Sequence, residues 1–174
     1  MAPLDLDAID VASADACGAA LAPLFEGAPR FLARLCAARP FRDADGLFDR
    51  ALEVALAAPE AVQVELIDAH PRLGAAPEAV TAASFREQGY DRPVDRRSSA
   101  AELEALNDAY EARFGFRYCV FVAGRPREAL LSGLRAALAA DRPSELRRAL
   151  GEVVAIARDR DRRARGEPTP EAVP

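Results

Sequence analysis

Tryptophan is absent from the 174-residue chain, aromatic residues make up only 6%, and histidine occurs once, at His70. One histidine and three scattered cysteines, Cys17, Cys36 and Cys119, do not assemble a typical ligand set, so no metal site is expected. No CxxC pair occurs either, and the three cysteines read as reduced, small hydrophobic residues. The chain lacks a GxGxxG turn and a P-loop, which leaves no visible foothold for a cofactor, and it lacks a GxSxG elbow for a serine nucleophile. No apolar run approaches the roughly 18 to 20 residues that span a bilayer. The start, Met1 to Asp7, is acidic where a secretion signal is basic, which makes the cytoplasm the expected location. A net charge of −5 lacks the basic excess expected of a nucleic-acid binder.

What is present favours helices. Hydrophobic residues make up 51% and charged residues 29%, enough apolar surface to offset chain entropy. Alanine, leucine, glutamate and arginine dominate, and these side chains lose little freedom in a helix. Apolar positions recur at three- and four-residue spacing, and proline and glycine cut the pattern into about seven or eight helices. The spacing predicts helices near 13–24, 28–38, 43–57, 59–69, 77–89, 99–114, 126–140 and 143–163. The expectation is one compact all-α domain over residues 1–165, with a disordered tail over 166–174. One stretch departs from the helical pattern. Residues 116–123, beginning Phe116-Arg117-Tyr118-Cys119-Val120-Phe121-Val122, are aromatic and β-branched between Gly115 and Gly124. This composition favours extended backbone, and with no partner strand evident it reads as an extended segment buried between helices. Its main-chain N–H and C=O groups must then find partners or a ligand.

Three features bear on chemistry. His70 is the one side chain whose ordinary pKa, roughly 6.5, suits proton transfer near neutrality. It ends a helical run at His70-Pro71, where the helix dipole favours the protonated ring; this suits a proton donor and equally suits a plain C-cap. Ser84 and Glu87 have the spacing of a capping box, and Glu87 with Gln88 alternatively gives a pocket an ionisable group and an amide. In the last helix, Leu146, Leu150, Val153 and Ala157 form an inward stripe that Arg160 continues. An inward arginine needs an anion, either a substrate carboxylate or a structural Asp or Glu.

Taken in order, several stretches resemble the 2-oxo-4-hydroxy-4-carboxy-5-ureidoimidazoline (OHCU) decarboxylases. They are Leu24-Phe25-Glu26 with Ala38-Arg39-Pro40-Phe41, Ala69-His70-Pro71-Arg72-Leu73-Gly74, Ser84-x-x-Glu87-Gln88, and Leu106-Asn107-x-x-Tyr110. Phe114-Gly115-Phe116, the run into Gly124-Arg125, and Glu152 to Arg160 complete the set. The resemblance covers about Leu4 to Arg160. It implies a cofactor-free, homodimeric, all-α decarboxylase of urate breakdown that acts after 5-hydroxyisourate hydrolase, in possible association with it, and gives (S)-allantoin. By position it implies His70 as catalytic acid/base with Glu87 tuning it. Pro71, Ser84, Gln88 and Arg160 would bind substrate, and the backbone of Tyr118, Cys119, Val120, Phe121 and Val122 would contact the ring. Arg117-Tyr118 stands where the family's proline and phenylalanine are expected. The competing readings are a helical interaction protein that keeps this fold without the chemistry, and a decarboxylase or hydrolase of a related ureido or hydantoin acid.

Overall fold

The structure is a computed structural model and describes residues 3–75 and 100–169. Among these residues eight helices and no strand are found: α1 Leu6–Val11, α2 Ala14–Leu21, α3 Pro29–Ala37, α4 Ala44–Ala57, α5 Glu60–Asp68, α6 Ala100–Phe114, α7 Arg127–Ala137 and α8 Arg142–Ala164. The all-α class expected from the sequence is therefore the class observed. The helix expected at 77–89 lies outside the described residues.

Local chemistry explains most of the boundaries. Asp5, Ser13, Asp43 and Asp141 cap α1, α2, α4 and α8 by accepting a hydrogen bond from the N–H three residues on. Pro29 opens α3, where its missing N–H costs nothing. Gly115, at φ 74°, turns the chain out of α6 in the left-handed region that glycine tolerates.

Helix α8 is the spine, packing against both α4 and α5. Arg158, near its end, pairs with Asp45 and Asp49 near the start of α4, while Arg142 at its start pairs with Glu60 at the start of α5. Late in α8 three consecutive residues, Asp159, Arg160 and Asp161, are buried. A helix enclosed on several sides must carry its polar groups in pairs: Asp159 meets Arg163 at 2.7 Å and Asp161 meets Arg165 at 3.0 Å.

One expectation is overturned. Cys17 and Cys36 are not reduced but form a disulfide, with Cα atoms 6.0 Å apart. The cause is tertiary: α2 packs on α3, and both cysteines occupy buried positions of that contact. Cys119 is a buried thiol, as expected. No helix among the described residues is long and apolar enough to cross a membrane.

Candidate active site

His70 lies just beyond α5, whose last turn is closed by Ala69 N–H on Glu65 O and His70 N–H on Ile67 O. Pro71 then ends helical geometry. The imidazole is buried, at 3% exposure, and its Nδ1 lies 3.1 Å from the Leu66 carbonyl. A carbonyl only accepts, so Nδ1 carries the hydrogen and the lone pair of the neutral ring is on Nε2. The stretch after His70 is anchored on α6: Arg72 pairs with Glu111 and Asp108, and Asn107 Nδ2 donates to Leu73 O at 3.0 Å.

Residues 117–122 pass beside this helix end without regular structure, and Phe116, Tyr118, Cys119, Val120 and Val122 are buried. The ring of Tyr110 on α6 sits 4.6 to 5.8 Å, centre to centre, from Phe114, Phe116 and Tyr118, and knits the segment's start to the core. Arg117 joins the segment to α5 three ways. Its N–H donates to Asp68 Oδ1 at 2.8 Å, and its Nη1 donates to Asp68 O and His70 O at 2.8 and 3.1 Å. Further along, Cys119 O accepts from Arg148 at 3.0 Å, Phe121 N–H donates to Glu152 at 2.7 Å, and Phe121 O accepts from Arg125.

These contacts share a parity. In extended backbone, successive residues turn their N–H and C=O groups to opposite edges. The tethers to α5 and α8 fall on 117, 119 and 121, while Val122 O accepts from the Arg125 N–H at 2.8 Å where the segment ends. Among the described residues, no hydrogen bond reaches the main-chain N–H or C=O of Tyr118 or Val120. One edge of the segment is pinned, and on the other Tyr118 and Val120 each offer a donor and an acceptor.

Arg160 is inward and 4% exposed, as its place on the apolar stripe predicts. Its Nη1 donates to Pro23 O and Leu24 O, and its Nη2 meets Glu26 Oε1 at 2.7 Å. A structural carboxylate is thus one anion it holds. Ser84, Glu87 and Gln88 lie outside the described residues. Sequence reasoning missed Glu26, Arg117, Glu145 and Arg148 as members of these networks. The available signal was the three- and four-residue spacing of Glu145, Arg148 and Glu152, which is also the spacing of ordinary surface pairs.

Electrostatics follow the packing. Burial, then the hydrogen bond to Glu145, pushes the Tyr110 phenol well above its ordinary range. Burial also raises Tyr118, with the Arg148 charge pulling the other way. Burial works against the charge on Arg148, but its hydrogen bond and attraction to Glu145 outweigh that, and the guanidinium stays ionised.

The comparisons with known proteins agree on one family. The sequence profile of the OHCU decarboxylase family matches residues 10–162. The chain is 30% identical over 140 residues to the uric acid degradation bifunctional protein PucL of Bacillus subtilis, covering 80% of this chain and only 28% of that protein. It is 28% identical to the 2-oxo-4-hydroxy-4-carboxy-5-ureidoimidazoline decarboxylase of Haloferax volcanii, covering 79% of this chain and 82% of that one. The decarboxylase of Halalkalicoccus jeotgali is 30% identical, with 79% and 78% covered. A crystal structure of OHCU decarboxylase in the presence of (S)-allantoin superposes with a TM-score of 0.68 at 18% identity, over 90% of this chain and 100% of that one, which shows the shared fold. With the match running through almost every described helix, the chain belongs to the OHCU decarboxylase family.

Proposed function

We propose that this protein is a cofactor-free carboxy-lyase that converts OHCU to (S)-allantoin in urate degradation. One observation supports this reading most directly. Arg117 ties the helix end carrying His70 to the segment that holds Tyr118 and Val120, which supports a site combining a proton-transfer group with main-chain donors and acceptors. A ring bearing carbonyl and N–H groups is a chemical match for such an edge.

The reaction breaks the bond between the ring carbon and its carboxylate. CO2 leaves, the electron pair stays on the ring carbon, and the adjacent imine or carbonyl delocalises it until a proton arrives on one face. Orientation and charge stabilisation therefore matter as much as proton delivery. Because Nδ1 is engaged by Leu66 O, proton exchange with substrate falls to Nε2 of His70. Glu87 is proposed to tune or position that ring, and Pro71, Ser84 and Gln88 to hold the substrate. Cys119, Phe121 and Val122 already spend main-chain groups on Arg148, Glu152 and Arg125, so the ring-reading role of 118–122 centres on Tyr118 and Val120. Arg160 has five N–H donors in a fork; it is proposed to reach a substrate anion while still paired with Glu26.

A homodimer is also part of the proposal, and light scattering during gel filtration checks it. So is an association with 5-hydroxyisourate hydrolase, the enzyme that supplies OHCU, to be checked by co-purification. The proposed cytoplasmic location is checked by cell fractionation, in which the protein is expected with the cytosolic fraction; recovery from a secreted or periplasmic fraction would contradict it.

For the activity itself, OHCU generated freshly from urate should disappear faster than its spontaneous decay when the protein is added, with circular dichroism reporting one allantoin enantiomer. Unchanged decay with folded protein would remove the decarboxylase reading.

A further inference from the structure

Glu145, Arg148 and Glu152 lie at three- and four-residue spacing on α8, on the face toward the extended segment. Arg148 is the hub. Its Nε donates to Glu145 Oε1 at 2.7 Å, its Nη1 donates to Cys119 O at 3.0 Å, and its guanidinium lies 4.8 Å from the centre of the Tyr118 ring. Glu145 is 2% exposed and also accepts the Tyr110 hydroxyl at 2.6 Å, which fixes the carboxylate that fixes Arg148. Glu152 takes the Phe121 N–H at 2.7 Å and stands 3.7 Å from Arg148 Nη1.

The two α8 side chains therefore grip the segment at alternate residues, 119 by its carbonyl and 121 by its amide. Gripping alternate residues settles which edge faces away from the grip. A slip of one residue would exchange the edges and swing the side chains of Tyr118 and Val120 to the opposite face. Charge-assisted bonds from a fork whose other prong is held by a buried carboxylate are well suited to resisting that slip.

We propose that Arg148, oriented by Glu145 and assisted by Glu152, is a positioning residue: it sets the register of residues 118–122 so that the main-chain edge of Tyr118 and Val120 faces the bound ring. Arg148 touches no reacting atom. The proposal rests on the decarboxylase reading for its catalytic consequence, while the grip itself is a property of the chain alone.

The test uses the full chain with Arg148→Met, Arg148→Lys and the double variant Glu145→Gln/Arg148→Met. Arg148→Met alone strands a buried carboxylate and risks misfolding, and the double variant removes that charge while Gln still accepts from Tyr110. Folding is followed by urea unfolding, and activity by kcat and KM on fresh OHCU. Amide hydrogen exchange over 117–122 is measured without substrate. Misplacing a reacting ring by about 1 Å costs on the order of 10²-fold in rate. The double variant is accordingly expected to recover stability but to stay about 10²-fold down in kcat/KM, with faster exchange at Phe121 and unchanged exchange along α8. Arg148→Lys, which keeps a charge and one bond to Cys119 O, should recover part of the activity.

A merely structural brace makes the opposite prediction: stability and activity return together in the double variant. That result, or unchanged exchange at Phe121, would overturn the proposal. A wild type inert toward OHCU, in which Arg148→Met still loosens the segment, would instead remove the decarboxylase reading and with it the catalytic half of this inference.

Discussion

Residues 22–28 and residues 116–122 are both irregular, both anchored by buried residues, and both braced by an arginine of α8, yet their main chains are satisfied in different ways. The first stretch folds on itself: Leu24 N–H bonds Leu21 O, Phe25 and Gly27 bond Ala22 O, and Ala28 bonds Phe25 O. Arg160 then closes it from outside, donating to Leu24 O and pairing with the stretch's own Glu26. The second stretch is held along one edge by side chains from α5 and α8, and Arg125 just beyond it closes its end on Phe121 O and Val122 O. A self-satisfied turn presents little to a ligand. A segment pinned along one edge keeps the main-chain groups of Tyr118 and Val120 on the other edge available, which is what the proposed ring-reading role requires.

The sharpest way to break the comparison is at the corner. Glu26 sits in left-handed backbone at φ 51° with its side chain 8% exposed against Arg160 at 3%. Removing one partner of such a buried pair leaves a charge without its counterpart, so Glu26→Ala is expected to cost about 3 to 5 kcal/mol in urea unfolding. A loss well below that range would mean the corner does not depend on the pair.

A smaller effect is expected at the segment's entrance. Arg117→Pro removes the N–H on Asp68 and the bonds that cap the carbonyls of Asp68 and His70 at the end of α5. These bonds are partly exposed, so the stability loss should be about 1 to 2 kcal/mol by thermal unfolding. Activity should fall by more than this stability loss accounts for, because His70 and the open edge lose their link. Equal losses in both would make Arg117 a simple cap.

The smallest effect is a titration. Tyr110 and Tyr118 both carry raised phenol pKa values in the folded chain. Their contribution to stability is complete below the unfolded value, about pH 10, and is lost as pH rises from there toward the folded values. Absorbance titration should therefore show neither phenol ionising in the ordinary range, with Tyr110→Phe and Tyr118→Phe leaving the amplitude near pH 10 unchanged. A drop in that amplitude in either variant would show an open, hydrated ring.

Much of the fold was legible because its signals are local. Pro29, Pro59 and Pro143 mark helix starts, and the aromatic and β-branched run at 116–122 breaks the helical period, so both helices and segment could be read from neighbours in sequence. Helix α1 was missed because six residues, Leu6–Val11, are too few to show a period. The helix expected to run to residue 24 stops at Leu21, where the chain begins the corner that ends in left-handed Glu26 and Gly27. What remained hidden is what only tertiary structure brings together. The Cys17–Cys36 bond spans two helices, and Glu26 meets an arginine 134 residues away. Arg160 could be placed inward from its stripe, but the stripe names no partner. Arg148 reads in sequence as one more member of a charged helix face, and only the packing of Cys119 and Tyr118 against it separates it from its exposed neighbours.

The central claim is that His70 Nε2 handles the proton in a decarboxylation. The direct measurement is the loss of freshly generated OHCU, followed by absorbance and circular dichroism, for wild type and His70→Ala at matched folded concentration. General acid/base catalysis predicts a rate lower by about 10² to 10⁴-fold in the variant, with (S)-allantoin formed rapidly only by wild type. Near-wild-type turnover in folded His70→Ala would contradict the account.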